Sequence, residues 1–282
     1  MTRIIIQENC GYKFLNQNKY YNMKISIYGI LILTAIVMNG CAKTDSLPTR
    51  FTPIPATNSN VKFLILSPDA PQINLIANGS KISGVAPNAT GAVQGIAFPL
   101  LYPAAVGYAT LTSGSVKLEV KVPDSSAVTP GALLLSTTQN FDAGKFYTYA
   151  IVDSLSKLSA VVVEDNPVVG DITKAYFRVA NFVSNNSSVK IEILKTSTGT
   201  AFSKVYPNVA FKSVSTFEEL EAGTGQVYKI YLANPVTNAR LDSIAAFTPT
   251  NTKKYTIFTR GVFGQSGSTN TKRPIVTSYT NF

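Results

Sequence analysis

Apolar and polar positions alternate along this chain with a period of two. The cleanest run is Val116-Lys-Leu-Glu-Val-Lys-Val122, unbroken from end to end. That spacing predicts a strand with one buried and one wet face. Val61 to Leu66 is more continuously apolar and reads as a short strand. Gln72 to Ala77 runs into Asn78-Gly79, a pair that favours a tight hairpin because both residues tolerate positive φ. Leu133 to Phe141, Phe146 to Val152 and Leu158 to Val163 complete this set. Val, Thr, Tyr and Phe fill these segments, as a pleated, half-buried surface prefers. No long segment carries the apolar period of an amphipathic helix. Short strands separated by regular turn signals predict an all-β sandwich.

The pattern then returns. Ala175 to Phe182 stands where Val61 to Ser67 stood, and Val189 to Leu194 stands for Gln72 to Ala77. Gln226 to Leu232 answers Val116 to Val122, and Leu241 to Phe247 answers Leu135 to Phe141. Lys254-Tyr-Thr-Ile-Phe258 answers Phe146-Tyr-Thr-Tyr-Ala150. A period of about 110 residues is too long for a solenoid and indicates a domain duplication. The expected fold is therefore two tandem immunoglobulin/transthyretin-like antiparallel β-sandwich domains, over 61–166 and 175–282. Residues 167–174, with Pro167 and Gly170, form the linker.

The N-terminal part follows another pattern. Lys24 opens an apolar run from Ile25 to Met38, followed by Asn39, Gly40 and Cys41. The run is shorter than the roughly 20 residues that span a bilayer. Its charged start, apolar middle and small-residue end are those of an export signal. Segment 23–40 resembles a bacterial lipoprotein signal peptide, with Cys41 as the residue that receives the lipid. Residues 1–22 precede it and show no clear period, so they are read as a misassigned upstream extension. Residues 41–60, rich in proline and small polar residues, read as a tether.

Composition narrows the chemistry. The chain has no histidine, no tryptophan and two cysteines, Cys10 and Cys41. Ser-His-Asp and Cys-His catalysis are excluded by residue count, as are zinc sites built on His and Cys. Lys+Arg number 25 against 15 Asp+Glu, a formal net charge of +10. The basic residues are scattered and form no dense stripe, so nucleic acid is not an expected partner. A basic exported surface suits acidic glycans or lipid head groups, or simply solubility.

Few residues remain as candidates. Asp69, between Pro68 and Pro71, could hold a cation, but an aspartate there more often ties a turn. Glu218-Glu-Leu-Glu221 is the acidic cluster; with no aspartate-rich loop beside it, it reads as a solvated strand edge or loop rather than a calcium site. Gly223-Thr-Gly225 and Gly261 to Gly267 read as turns, since no helix follows to make a phosphate site. Phe98, Tyr102, Tyr108, Tyr206, Phe211 and Phe217 lie between the predicted strands, as core packing or as recognition surface. Asp45-Ser-Leu47, Asp153-Ser-Leu155 and Asp242-Ser-Ile244 resemble an O-glycan acceptor pattern.

Leu66-Ser-Pro-Asp-Ala-Pro71, Ile73-Asn-Leu-Ile-Ala-Asn-Gly79 and Phe141-Asp-Ala-Gly-Lys-Phe-Tyr-Thr148 together resemble the DUF4397 family. In the second repeat Asn181-Phe-Val-Ser-Asn-Asn186 replaces the first signature, while Tyr255-Thr-Ile-Phe258 keeps the last. The resemblance implies an all-β, exported, often lipid-anchored and tandem protein, and implies no activity. The expectation is a non-catalytic binding, adhesion or structural module of the cell envelope, at the outer membrane. Its partners would be the membrane, through lipid on Cys41, and a glycan or envelope protein. No catalytic residue, metal or cofactor is expected. The rival expectation is an envelope hydrolase working with a carboxylate pair that includes Asp69.

Overall fold

The computed structural model describes residues 5–8, 11–14, 57–84, 89, 95–104, 106–199 and 201–282. The signal segment, Cys41 and most of the tether lie outside the described residues. The chain divides into two units, Met1–Thr52 and Pro53–Phe282. In the first, β1 (Ile5–Glu8) and β2 (Gly11–Phe14) pair as an antiparallel hairpin. The sequence reading assigned no element there. Strands of four residues each are too short to register as a period.

Among its described residues the second unit is all β apart from one 3₁₀ turn at Leu155–Lys157. Its first half holds β3 (Asn58–Ile65), β4 (Asn74–Ala77), β5 (Ser80–Lys81), β6 (Leu101–Tyr102), β7 (Ala109–Thr112), β8 (Gly114–Lys121), β9 (Leu133–Phe141), β10 (Phe146–Val152) and β11 (Ser159–Asp165). Its second half holds β12 (Lys174–Ser184), β13 (Ser188–Lys195), β14 (Ser203–Ala210), β15 (Glu218–Glu221), β16 (Tyr228–Ala233), β17 (Arg240–Phe247), β18 (Lys254–Val262) and β19 (Ile275–Thr280). β3 begins at Asn58, inside the stretch read as tether.

Each half is a two-sheet sandwich, and the strand orders match. In the first, β11-β10-β3-β6, with β7 also on β3, faces β5-β4-β8-β9. In the second, β15-β12-β18-β19 faces β14-β13-β16-β17. β12 takes the place of β3, β18 that of β10, and β16 that of β8. Pairings are antiparallel, with one exception in each half: β3 runs parallel to β10, and β12 parallel to β18.

Side-chain alternation builds each core. Val116, Leu118 and Val120 of β8 point inward to meet Val61, Phe63 and Ile65 of β3. On the wet face of β8, Glu119 sits between Lys117 at 2.9 Å and Lys121 at 3.6 Å. Asn78 and Gly79 both have positive φ, 47° and 82°, the geometry of the tight turn that Asn-Gly favours. Both halves end their outer-to-inner crossing with the same device. The Tyr147 hydroxyl accepts the Asp142 N–H at 3.0 Å, and the Tyr255 hydroxyl accepts the Thr250 N–H at 3.0 Å. These are tyrosine corners, each ring packed edge-on against a phenylalanine, Phe141 or Phe247, at 5.0 Å.

A third apolar cluster joins the halves. Leu64, Leu66, Ala150 and Val152 from β3, β10 and the residue after β3 pack on Ala180, Phe182, Phe258 and Tyr279 from β12, β18 and β19. The central strands of the facing sheets are thus buried on both sides. That accounts for their near-continuous apolar sequence and for a parallel pair at each centre, since parallel strands are seldom left open to water.

Candidate functional site

Two features sit where the halves meet: a sealed polar network and an open cleft. The network is centred on Asp165 of β11 and Arg178 of β12, whose side chains are 0% and 2% exposed and form an ion pair. Asp165 also accepts hydrogen bonds from the Tyr108 hydroxyl at 2.9 Å and the Thr148 hydroxyl at 2.7 Å. The Arg178 Nε donates to Thr256 Oγ1 at 2.9 Å, and its guanidinium lies 4.7 Å from the centre of the Phe217 ring. Thr256 in turn donates to Asn281 Oδ1 at 2.7 Å, and the Asn281 amide donates to the Tyr108 hydroxyl at 3.4 Å. The ring of contacts closes on itself and crosses between the halves twice, at Asp165–Arg178 and at Asn281–Tyr108. The Tyr108 ring stacks on Phe282 with 5.5 Å between centres.

Lys62 of β3 occupies the position in the first half that Arg178 occupies in the second. Lys62 is in register with Thr148, as Arg178 is with Thr256. Its ammonium lies 5.2 Å from the Tyr108 ring and 5.7 Å from the Tyr279 ring, and donates to the Pro103 carbonyl at 3.5 Å. Burial pushes its pKa from 10.5 down to about 8, against a smaller upward pull from Asp165. Burial also lowers Lys254, helped by the nearby Arg178 charge. Burial raises Tyr108 and Tyr279, reinforced by Asp165.

These shifts set a pH dependence. Between pH 8 and 10.5 the unfolded chain holds a proton on Lys62 that the folded chain has released. Stability therefore rises with pH in that window, by up to about 3 kcal/mol for a shift of this size. Above pH 10 the unfolded chain loses tyrosine protons that Tyr108 and Tyr279 retain when folded, and stability falls. The urea midpoint should climb from pH 8 and turn over above pH 10, and Lys62→Met should flatten the climb. A midpoint that falls steadily from pH 7 would contradict this assignment.

The cleft lies at the opposite end of the facing sheets, beyond the carboxyl ends of β3, β10, β12 and β18, and encloses about 470 Å³. Pro68 and Asp69 follow β3, and Asp153, Ser154 and Lys157 follow β10. Ser184 and Asn185 close β12, while Val262, Gln265 and Lys272 come from the end of β18 and its following loop. Asp153 and Asn185 have φ of 78° and 61°, the left-handed region that few non-glycine residues occupy. The Asp69 carboxylate accepts the Leu155 N–H at 2.8 Å and the Ser67 hydroxyl at 3.3 Å. It therefore ties its own turn to the connection after β10. Asp153 accepts the Ser154 N–H at 2.9 Å and faces Lys212 at 3.6 Å.

The remaining sequence candidates are absorbed by the fold. Glu218-Glu-Leu-Glu221 forms edge strand β15. Glu218 accepts from Lys204 at 2.8 Å and Tyr206 at 2.7 Å, and Glu221 faces Lys195 at 3.2 Å. Among the described residues no three His, Cys, Asp or Glu side chains come together as a metal site would need. Tyr102 bonds Ile82 and Gly84, Phe98 lies 5.3 Å from the Arg260 guanidinium, and Phe211 lies 4.9 Å from Lys212. Ser154 sits in the cleft, and Ser243 is exposed on edge strand β17. Asp165 and Arg178 were missed by the sequence reading. The available signal was a charged residue inside an apolar strand, repeated at the equivalent position Lys62.

Fold and site together define a protein of two fused β-sandwiches with a polar lock at one end of their seam and an open cleft at the other. The model of DUF4397, a domain of unknown function, matches residues 59–192, and that stretch carries a DUF4397 domain. The match covers the first half and continues through β12 into β13, taking in the strand that packs onto the first half. No curated protein matches the sequence. Among solved structures, a family 26 carbohydrate-binding module of Amy13K from Eubacterium rectale, in complex with maltoheptaose, is similar at 13% identity and TM-score 0.20, over 79% of this chain and 96% of that one. The fimbrial anchor protein Mfa2 from Porphyromonas gingivalis is similar at 10% identity and TM-score 0.24, over 79% and 97%.

Proposed function

We propose that this protein is a non-catalytic binding module of the cell envelope, held at the outer membrane by lipid on Cys41. Its two domains, 61–166 and 175–282, are joined through 167–174 and present the cleft at their seam to a glycan or to another envelope protein. The observation that carries this reading is the cleft itself, assembled from four connections, two from each half. Its volume falls in the range of ligand pockets, roughly 300–1,000 Å³. A sealed seam beneath it holds the four connections in fixed relation, so the site is formed before any ligand arrives.

The rival hydrolase draws support from one fact: Asp69 and Asp153 line the same cleft. Carboxylate-based hydrolysis of glycosides needs one protonated carboxyl and one free carboxylate facing the bond. Here Asp69 is committed to a backbone N–H and Asp153 to Lys212. Both act as braces for the connections they belong to, and the binding reading is preferred.

Anchoring is tested at the mature N-terminus. A thioether lipid forms only on a thiol, so Cys41→Ala should move the protein from the membrane fraction to the soluble fraction or stall its precursor. Mass spectrometry of the wild type should show a diacylglycerol adduct on a chain beginning at Cys41. A mature chain with an unmodified cysteine, or one starting elsewhere, would rule the anchor out.

A further inference from the structure

We infer that the seam cleft takes a saccharide carrying carboxylate or sulfate groups. This rests on the reading of the cleft as the binding site and adds the chemistry of what enters it. The charges lining the cleft are unequally committed. Both carboxylates are in use, Asp69 on the Leu155 N–H and the Ser67 hydroxyl, Asp153 on Lys212 and the Ser154 N–H. Lys157 and Lys272 line the same cleft, and the ammonium group of neither forms an ion pair with any described residue. The uncommitted charge of the cleft is therefore positive, and it comes from both halves, one lysine from the connection after β10 and one from that after β18.

The rest of the lining favours hydroxyl-rich ligands. Ser154, Asn185 and Gln265 offer hydroxyl and amide groups that both donate and accept, as a polyol requires. Pro68 and Val262 give apolar walls against which the C–H face of a ring can rest. A volume of about 470 Å³ accommodates a short oligosaccharide segment rather than a single ion. From Cys41 onward the chain has 21 Lys+Arg and 14 Asp+Glu, a net charge of +7 that adds a long-range attraction for an acidic polymer.

The test uses the full-length chain in detergent micelles and three tetrasaccharides. One alternates glucuronate with N-acetylglucosamine, one carries sulfate on the same kind of backbone, and one is neutral chitotetraose. Calorimetry should show an acidic ligand bound at least about tenfold more tightly than the neutral one, with affinity falling as salt rises. The double variant Lys157→Gln/Lys272→Gln should lose about tenfold for the acidic ligand and change little for the neutral one. The carboxylated and sulfated ligands, compared directly, show which anion is preferred. Equal binding of neutral and acidic ligands, blocked by Gln265→Trp at the cleft mouth, overturns the inference and leaves the cleft as the binding site. Acidic binding that neither the lysine pair nor Gln265→Trp disturbs overturns both. Absence of acidic binding overturns the inference.

Discussion

Asp165→Ala and Arg178→Ala are each expected to destabilise the folded protein by about 3–5 kcal/mol. Neither side chain touches water, so removing one partner leaves the other as an uncompensated buried charge. The cost is enlarged by the ring of contacts around the pair. Without Asp165, the hydroxyls of Tyr108 and Thr148 lose their shared acceptor inside the seam. Without Arg178, Thr256 loses its donor and the Phe217 ring loses its cation. The double variant should cost clearly less than the two single costs added, because it leaves no orphaned charge. Urea unfolding of the four proteins measures the cycle. Additive single effects would mean that the pair is not coupled and that the network is not one unit.

Gly261→Ala is expected to cost about 3 kcal/mol or more. Gly261 has φ of 108°, and a methyl group there would lie 2.2 Å from the Arg273 carbonyl oxygen and 2.7 Å from its carbon. Both atoms are backbone, so no side chain can swing aside. The residue sits near the end of β18, where Ser184 donates to its carbonyl at 3.2 Å and Val262 N–H bonds the Lys272 carbonyl at 2.8 Å. Gly79→Ala supplies the contrast. Its φ is 82°, but nothing lies within 4 Å of the added carbon, so it bears only the backbone cost of about 1–2 kcal/mol. Thermal melting should separate the two by several degrees. Similar melting points would show that crowding at Gly261 is relieved by a shift of the Arg273 segment.

The strands most visible in the sequence were those with a single period of two or a strong turn beside them. Val116 to Val122 became β8 and Asn78-Gly79 its predicted tight turn, since local chemistry decides both. β14 went unread because Pro207 lies inside it, which an edge strand tolerates and a central one does not. β6 and β5 are two residues each, too short to carry a period. The seam was half legible. The continuous apolar character of Phe63 to Leu66 and of Tyr149 to Val152 marks strands with two buried faces, but nothing local says what covers the second face. The network was illegible for a related reason. Arg178, Thr256 and Asn281 come from separate segments of the second half, and only the docking of the first half brings Asp165 and Tyr108 onto them. The cleft is likewise a product of docking; of its residues Asp69 stood out beforehand as a candidate acid, and Asp153 and Ser154 only as part of an O-glycan acceptor pattern.

The burial of β3, β10, β12 and β18 on both faces also bears on how such a protein can change over generations. A substitution on the outer face of β9 or β17 meets water and leaves its neighbours undisturbed. A substitution at Leu64, Ala180 or Phe258 must satisfy two sandwiches at once, and a change in one half calls for a matching change in the other. Divergence should therefore accumulate from the outer sheets inward. The seam would remain as the record of common ancestry, while the connections around the cleft stay free to vary with whatever they meet.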